Sequence, residues 1–251
     1  MKKIALIAQK GGVGKTTLAV NLAVAMQAAG MKTALFDLDL QESAAMWADR
    51  RQDEFPHVEF LTERRLPEAF RSAEAQGFSI AIIDTPPAAG PQALTAAESA
   101  DLILVPCRPN LVDLDAIRRT SKLVKSARKP AFVVFNAVPP GATTLVEDAK
   151  AIVEKEPCEV CQGSGATVGT SALTCGACAG RGYVPGLVVA PKLLRERSAY
   201  RAAWPVGRAV IENEPYGKAA QEISELQDWV CAQLQVCTPD TLKSEREVAH
   251  G

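Results

Sequence analysis

Seven short runs of Val, Ile, Leu, Ala and Phe punctuate the chain, at residues 3–8, 33–37, 57–61, 79–84, 102–107, 131–136 and 186–190. Their apolar character is continuous rather than alternating, which predicts strands covered on both faces. Helical segments such as 15–29, 111–128 and 144–155 fall between them. This strand–helix repetition predicts an α/β fold, a doubly wound and mostly parallel seven-stranded sheet with right-handed crossovers. Residues 156–185 break the rhythm. They are rich in Gly and Cys and nearly free of large apolar side chains, in a connection that normally needs only a few residues. The pattern predicts a single domain built from 1–155 and 186–251 that carries 156–185 as an insertion.

Composition changes this picture little. A chain of 251 residues, 47% hydrophobic and 23% charged, suits one large globular α/β domain. The net charge of −1 excludes whole-molecule attraction to nucleic acid, so any such binding must come from local patches. Two lysines precede the first apolar run, but that run is too short for a signal peptide and leads into a glycine loop. No segment approaches the ~20 apolar residues of a membrane span. The expectation is a cytoplasmic protein with no membrane partner.

The sharpest local signal is "QKGGVGKTT", residues 9–17, placed after the first strand and opening a helix. Glycines at 11, 12 and 14 let backbone N–H groups, with that of Val13, converge on a phosphate at the positive end of the helix. Lys15 reaches the β- and γ-phosphates in such a P-loop, and the Thr16 hydroxyl holds Mg²⁺. Gln9 stands where the ordinary pattern has its first glycine, and an extra lysine, Lys10, precedes the glycine pair.

"KGGVGKTT" resembles the deviant Walker A motif of the ParA/MinD family of ATPases. "FDLDLQ" at 36–41 resembles its Walker A′ motif, and "IAIIDTPP" at 80–87 its Walker B motif. The likeness continues through "LILVPCRPN", "VVFNAV" and "PKLLRERSAYRAAWPVG", covering nearly the whole chain outside 156–185. The resemblance implies a P-loop fold and Mg²⁺-dependent hydrolysis of ATP to ADP and phosphate in an ATP-bound homodimer. It makes Lys10 the signature lysine that crosses to the partner's phosphates, where it would neutralise charge built up during phosphoryl transfer. Asp39 matches the residue that positions the attacking water, completing a catalytic set with Lys10 and Lys15. Asp37 and Asp84 lie near Mg²⁺ with Thr16. Thr17 contacts the α-phosphate, Asn136 reads the adenine edge, and backbone near Pro191 closes the base pocket. The bare chemistry of the aspartates also suits strand-end capping and turn formation. Leu40 departs from the family, which has proline after the second aspartate.

Within the family, "DLDLQESAAMW" and "LRERSAYRAAWPVG" look like small plasmid or chromosomal partition ATPases. With its first strand almost at residue 1, the expectation is a small partition ATPase rather than a larger one with a helix-turn-helix extension. Residues 211–251 carry eight acidic and three Lys/Arg residues, unlike the basic membrane helix that ends MinD-like proteins. The resemblance implies non-specific DNA binding, a nucleoid location and a centromere-binding partner of the ParB type that stimulates hydrolysis. Residues 111–130 are net +4, with Arg118, Arg119, Lys122, Lys125, Arg128 and Lys129 against Asp113 and Asp115. Residues 191–208 are also net +4, with Lys192, Arg195, Arg197, Arg201 and Arg208 against Glu196. Either patch can neutralise phosphates, and either can equally be a solvated face.

Cys158, Cys161, Cys175 and Cys178 form two Cys-x-x-Cys-x-Gly-x-Gly repeats. Two such turns supply four thiolates to one tetrahedral Zn²⁺, whose binding would have to fold a segment with so little apolar material. The repeats resemble the zinc regions of DnaJ-type proteins. Four free thiols, a redox switch and an iron–sulfur cluster remain open, the last making the chain a cluster carrier or assembly ATPase. Cys107, Cys231 and Cys237 read as small core or surface residues. The insertion is expected at the end of the sheet away from the phosphates.

Overall fold

The computed structural model describes residues 1–88, 90–166 and 174–236. Among them, seven strands form one parallel sheet: β1 (Lys2–Leu6), β2 (Thr33–Asp37), β3 (His57–Phe60), β4 (Ile80–Asp84), β5 (Leu102–Cys107), β6 (Ala131–Phe135) and β9 (Val188–Val189). Their order is β3-β2-β4-β1-β5-β6-β9. Between β6 and β9 in the chain, β7 (Lys155–Pro157) and β8 (Tyr183–Pro185) pair antiparallel as a separate small sheet.

Nine helices connect these strands among the described residues: α1 (Lys15–Ala28), α2 (Ser43–Ala48), α3 (Leu66–Ala75), α4 (Pro91–Ser99), α5 (Leu111–Ser126), α6 (Thr143–Glu154), α7 (Ser198–Ala203), α8 (Val210–Asn213) and α9 (Lys218–Leu234). They divide between the two faces of the sheet. Ile4, Leu6, Leu35, Ile80 and Ile82 pack with α1, α2, α7, α8 and α9, whereas Ala5, Ala34, Phe36, Ala81 and Ile83 pack with α3, α4, α5 and α6. Because successive side chains point to opposite faces and both are dry, each central strand must be apolar throughout. Each Ile or Leu buried this way contributes about 1.5–3 kcal/mol.

Helix α1 is buried along most of its length, so its one central polar residue needs partners. Asn21 donates to the Thr17 carbonyl at 2.8 Å and accepts from the Val210 amide at 2.9 Å, tying α1 to the start of α8. No described helix is long and apolar enough to cross a membrane.

The last strand is shorter than the 186–190 run predicts. The amides of Gly186 and Leu187 donate to Glu154 and Val153 at the end of α6, which holds them out of the sheet. Only Val188 and Val189 then align with Phe132 and Val133. Lys155, assigned above to the end of a helix, already belongs to β7.

Candidate active site and metal centre

Strand register assembles the phosphate site. Asp37 and Asp84 are aligned partners at the C-terminal ends of β2 and β4, and Leu6 at the end of β1 is aligned with Asp84. The P-loop therefore leaves β1 directly beside the two carboxylates. Gly11, Gly12, Gly14, Lys15, Thr16, Thr17 and Asp39 line one cleft of about 310 Å³, joined by Gln41, Ser43, Pro87 and Trp204. Trp204, in a 3-10 turn after α7, lies in the family-like stretch "RAAWPVG" but was not singled out for the site. Gln41 and Ser43 simply follow the Asp39 turn.

The three aspartates do different work. Asp37 is fully buried; one carboxylate oxygen accepts from the Asp39 amide at 3.0 Å, the other from Ala44 at 2.9 Å at the start of α2. It forms the turn and the helix start, and burial still pushes its pKa up. Asp39 accepts from the Gln41 amide at 3.0 Å and faces the cleft. Asp84 differs: both carboxylate oxygens are buried and neither accepts a hydrogen bond. Burial pushes this carboxyl up to about 7, with Asp37 adding to the effect. The Thr16 hydroxyl, near but outside hydrogen-bond geometry, and Lys15 pull it back. An orphaned carboxylate beside a phosphate cradle fits Mg²⁺, held directly or through one of its waters. Burial lowers the Lys15 pKa, opposed by the charges of Asp84 and Asp39.

The P-loop is tied to the β5 and β6 side of the site. The Lys10 ammonium pairs with the buried Asp113 carboxylate in the first turn of α5. Arg108 donates to the Gly12 carbonyl. Asn136 donates to the Val13 carbonyl at 2.8 Å, and its own oxygen accepts from the Ala137 amide at 2.9 Å. A Cβ on Gly14, which sits at φ 90°, would lie 2.1 Å from the Asn136 amide nitrogen, so that position requires glycine. Pro191 follows β9 by two residues. Neither Arg108 nor Asp113 was singled out for the site in the sequence, where Asp113 counted only as an acid diluting the α5 cations.

The basic candidates separate into free and engaged groups. Arg118 and Arg119 are exposed on α5, whereas Lys122 pairs with Glu159 at 2.5 Å. In the second patch Arg197 pairs with Glu222, whose other oxygen accepts the Arg195 amide at 3.0 Å. Lys192 pairs with Glu225 at 3.0 Å and Arg201 with Glu196 at 3.8 Å. Arg208 is exposed and has no ion pair among the described residues. Acids of α9 thus offset part of the charge counted in 191–208. Residues 237–251, which hold the rest of the acidic tail and Cys237, lie outside the described residues.

The insertion closes on its cysteines. The four sulfurs of Cys158, Cys161, Cys175 and Cys178 are buried and lie within 4.8 Å of one another. Cys158 and Cys175 are 3.9 Å apart, Cys161 and Cys178 3.6 Å. Four thiolates about 2.3 Å from one Zn²⁺ stand about 3.8 Å apart, so these sulfurs fit that ion. The two knuckles repeat one bonding pattern. Cys158 N–H donates to Gly182 O and Cys175 N–H to Gly165 O, both at 2.9 Å. Gly165 N–H donates to Cys161 Sγ and Gly182 N–H to Cys178 Sγ, both at 3.3 Å. Burial opposes ionisation at Cys161, but the Gly165 amide and the neighbouring thiols bring its pKa down to about 7.

Gly165 and Gly182, at φ 77° and 76°, let the knuckles meet backbone to backbone. A Cβ on either would lie 2.3 Å from the carbonyl of Gly180 or Gly163. Val184 supplies the apolar contact beneath the sulfurs. Lys125 on α5 reaches Glu156 and the Pro185 carbonyl, each at 2.9 Å. Asp113 meets the P-loop twelve residues earlier on the same helix, roughly 18 Å away at 1.5 Å per residue. The cysteine centre therefore sits toward the opposite end of the sheet from the phosphates.

Residues 4–162 match the family described as the CobQ/CobB/MinD/ParA nucleotide binding domain. The chain is 41% identical over 119 residues to maintenance of carboxysome distribution protein A of Gloeobacter kilaueensis, covering 47% of this chain and 54% of that relative. It is 28% identical over 146 residues to the chromosome-partitioning ATPase Soj of Thermus thermophilus, covering 47% and 59%. The matches span less than two thirds of either relative. The fold is shared with the septum site-determining protein MinD from Pyrococcus horikoshii, solved with Mg-ADP, at a TM-score of 0.63 and 19% identity over 91% of this chain and 95% of that one. The motif-bearing strand ends and the match over most of the chain agree: this chain belongs to the CobQ/CobB/MinD/ParA nucleotide-binding family, whose ParA and MinD members are ATPases.

Proposed function

We propose that the chain is a partition-type ATPase, hydrolysing Mg-ATP between two copies of itself to segregate plasmid or chromosomal DNA. The carrying observation is Asp84, a buried carboxylate without a partner beside Lys15 and Thr16. Mg²⁺ there, with Thr16 and Asp37 nearby, would offset the charge of the β- and γ-phosphates. The glycine amides and Lys15 bind and orient those phosphates, and Asp39 at the mouth orients a water on the γ-phosphorus. The water oxygen bonds to phosphorus, the bond to the β-phosphate oxygen breaks, and ADP, phosphate and a proton leave. Lys10 of each copy completes its partner's site. Exposed Leu40, Leu111 and Val112 give the surrounding face an apolar rim suited to a second copy. Non-specific DNA binding through Arg118, Arg119 and Arg208, and stimulation by a ParB-type partner, extend the proposal.

The segments 1–155 and 186–251 make up the ATPase domain in this reading, with 156–185 a zinc-bound insertion whose four sulfurs, all within 4.8 Å of one another, favour one Zn²⁺. Variants and metal content test these assignments. Lys15→Ala should abolish nucleotide binding, while Asp39→Ala should keep ATP-dependent DNA binding and lose hydrolysis; normal turnover in the Asp39 variant sinks the water-positioning role. Fresh protein should be colourless with one zinc per chain. A brown, iron-containing preparation would favour the cluster carrier instead.

A further inference from the structure

We propose that the cavity between α5 and the cysteine insertion is a recognition site for the C-terminal end of a peptide whose last residue is apolar. The cavity measures about 470 Å³, within the range of small-ligand pockets, and lies with the cysteine centre rather than with the phosphates. Its two walls have different origins. The insertion supplies the apolar one. Val160 stands between Cys158 and Cys161 in the first knuckle and Ala177 between Cys175 and Cys178 in the second, while Pro157 and Val184 come from β7 and β8. Val160 is 61% exposed although Cys158 and Cys161 beside it are buried. Because both knuckles contribute, this wall exists only while the four sulfurs are held together.

Helix α5 supplies the polar wall. Arg118, Lys122 and Lys125 follow one another at spacings of four and three residues, so they form one ridge of the helix. Glu156 meets Lys125 at 2.9 Å and Glu159 meets Lys122 at 2.5 Å. Arg118 is exposed, lines the cavity and has no ion pair among the described residues. The ridge thus offers one cation more than the insertion matches, and that cation borders the cavity. Glu156 lines it too: its Oε2 accepts from Lys125, whereas its Oε1 is buried and accepts nothing. A buried acceptor without a donor is costly, and a ligand N–H placed there removes the cost. The site therefore asks for an anion at Arg118, an N–H at Glu156 and an apolar group against Val160. The last residue of a peptide carries all of these, in its carboxylate, its amide N–H and its side chain. A guanidinium takes a carboxylate through two parallel hydrogen bonds. A nucleic-acid backbone brings neither the N–H nor the apolar group.

Fluorescein-labelled Gly-Ser-Gly-Ser-Leu, as the free acid and as the C-terminal amide, tests the site by anisotropy on the full chain. Nucleotide-free protein suffices, since no part of the site belongs to the phosphate cleft. The free acid should bind about tenfold tighter than the amide, and N-methylation of the leucine nitrogen should cost a similar factor. Arg118→Gln should bring acid and amide to one affinity. Arg119→Gln, exposed on α5 but outside the cavity, should leave their difference intact. Val160→Asp should abolish binding of the acid; Val160→Ser serves if thiol titration shows that the Asp variant has opened the knuckles. Equal binding of acid and amide overturns the proposal, as does an acid preference that survives Arg118→Gln. So does absence of binding by the free acid at about 1 mM. Binding of a random-sequence DNA duplex that needs Arg118 and ignores Val160, with no peptide bound, would assign Arg118 to a phosphate-binding face instead.

Discussion

Asp84→Asn should make the protein more stable and unable to use Mg-nucleotide, with a gain that depends on pH in a defined direction. Asp84 is wholly buried, and burial raises its carboxyl from an ordinary 3.8 to about 7 in the fold. The folded state then holds a proton that the unfolded chain has released between about pH 4 and pH 7, so stability falls as pH rises through that window. Above pH 7 the cost is complete. At 1.36 kcal/mol per unit of difference it amounts to about 4 kcal/mol, of which roughly 3 kcal/mol accumulates between pH 5 and pH 8. Asparagine matches the protonated acid in size and polarity and never ionises. Urea unfolding of nucleotide-free protein at pH 5, 6, 7 and 8 should give a stability difference between variant and wild type that grows by about 2–3 kcal/mol across the series. Adding Mg-ADP at pH 8 should raise the wild-type midpoint and leave the variant's unmoved. A difference that is flat with pH, or a variant no more stable than wild type at pH 8, would refute the orphaned-carboxylate argument.

Gly165→Ala or Gly182→Ala should disrupt the cysteine centre, because each adds a Cβ 2.3 Å from a backbone carbonyl at a positive φ. Zinc per chain, by elemental analysis, should drop well below one while ATP binding survives; full zinc retention would show that the knuckles can separate. Glu222→Gln should release Arg197 and raise low-salt affinity for random-sequence DNA about two- to fivefold, the range of a partly exposed ion pair. Fluorescence anisotropy across a salt series checks this, and an unchanged affinity removes Arg197 from the DNA face.

The strands were legible because physics gives a doubly covered strand only one kind of sequence. Ile80, Ala81, Ile82 and Ile83 alternate between two different cores, so no polar position is available to obscure the run. The P-loop was equally plain, since close approach and a helix start force Gly14 and its neighbours. Short helices were not. Helix α8 has four residues and is held by the Asn21 bond to Val210 and by Arg51 on Glu212, contacts across 161 to 189 residues of chain. Trp204 entered the cleft by the same long-range route. Asp113 was misjudged for a related reason. A local charge count cannot reveal that one acid of α5 faces inward to a lysine 103 positions earlier. Of the two jobs weighed for Asp37, the structure shows the local one: its carboxylate builds the Asp39 turn and the start of α2.

Helix α5 explains how one chain carries two centres without conflict. Its first turn, capped by Asn110, faces the P-loop through Asp113; its later turns face the insertion through Lys122 and Lys125. The insertion leaves after α6 and returns before β9, and its ends are closed by the three β7–β8 pairs, so the large sheet sees only an ordinary α-to-β connection. The knuckles are held by four sulfurs, by glycine contacts within 158–182 and by Val184, all within the insertion. Folding of the phosphate site depends on the register of β2, β4 and β1. The same helix therefore touches both centres: its cations hold the insertion and its first acid pairs with Lys10.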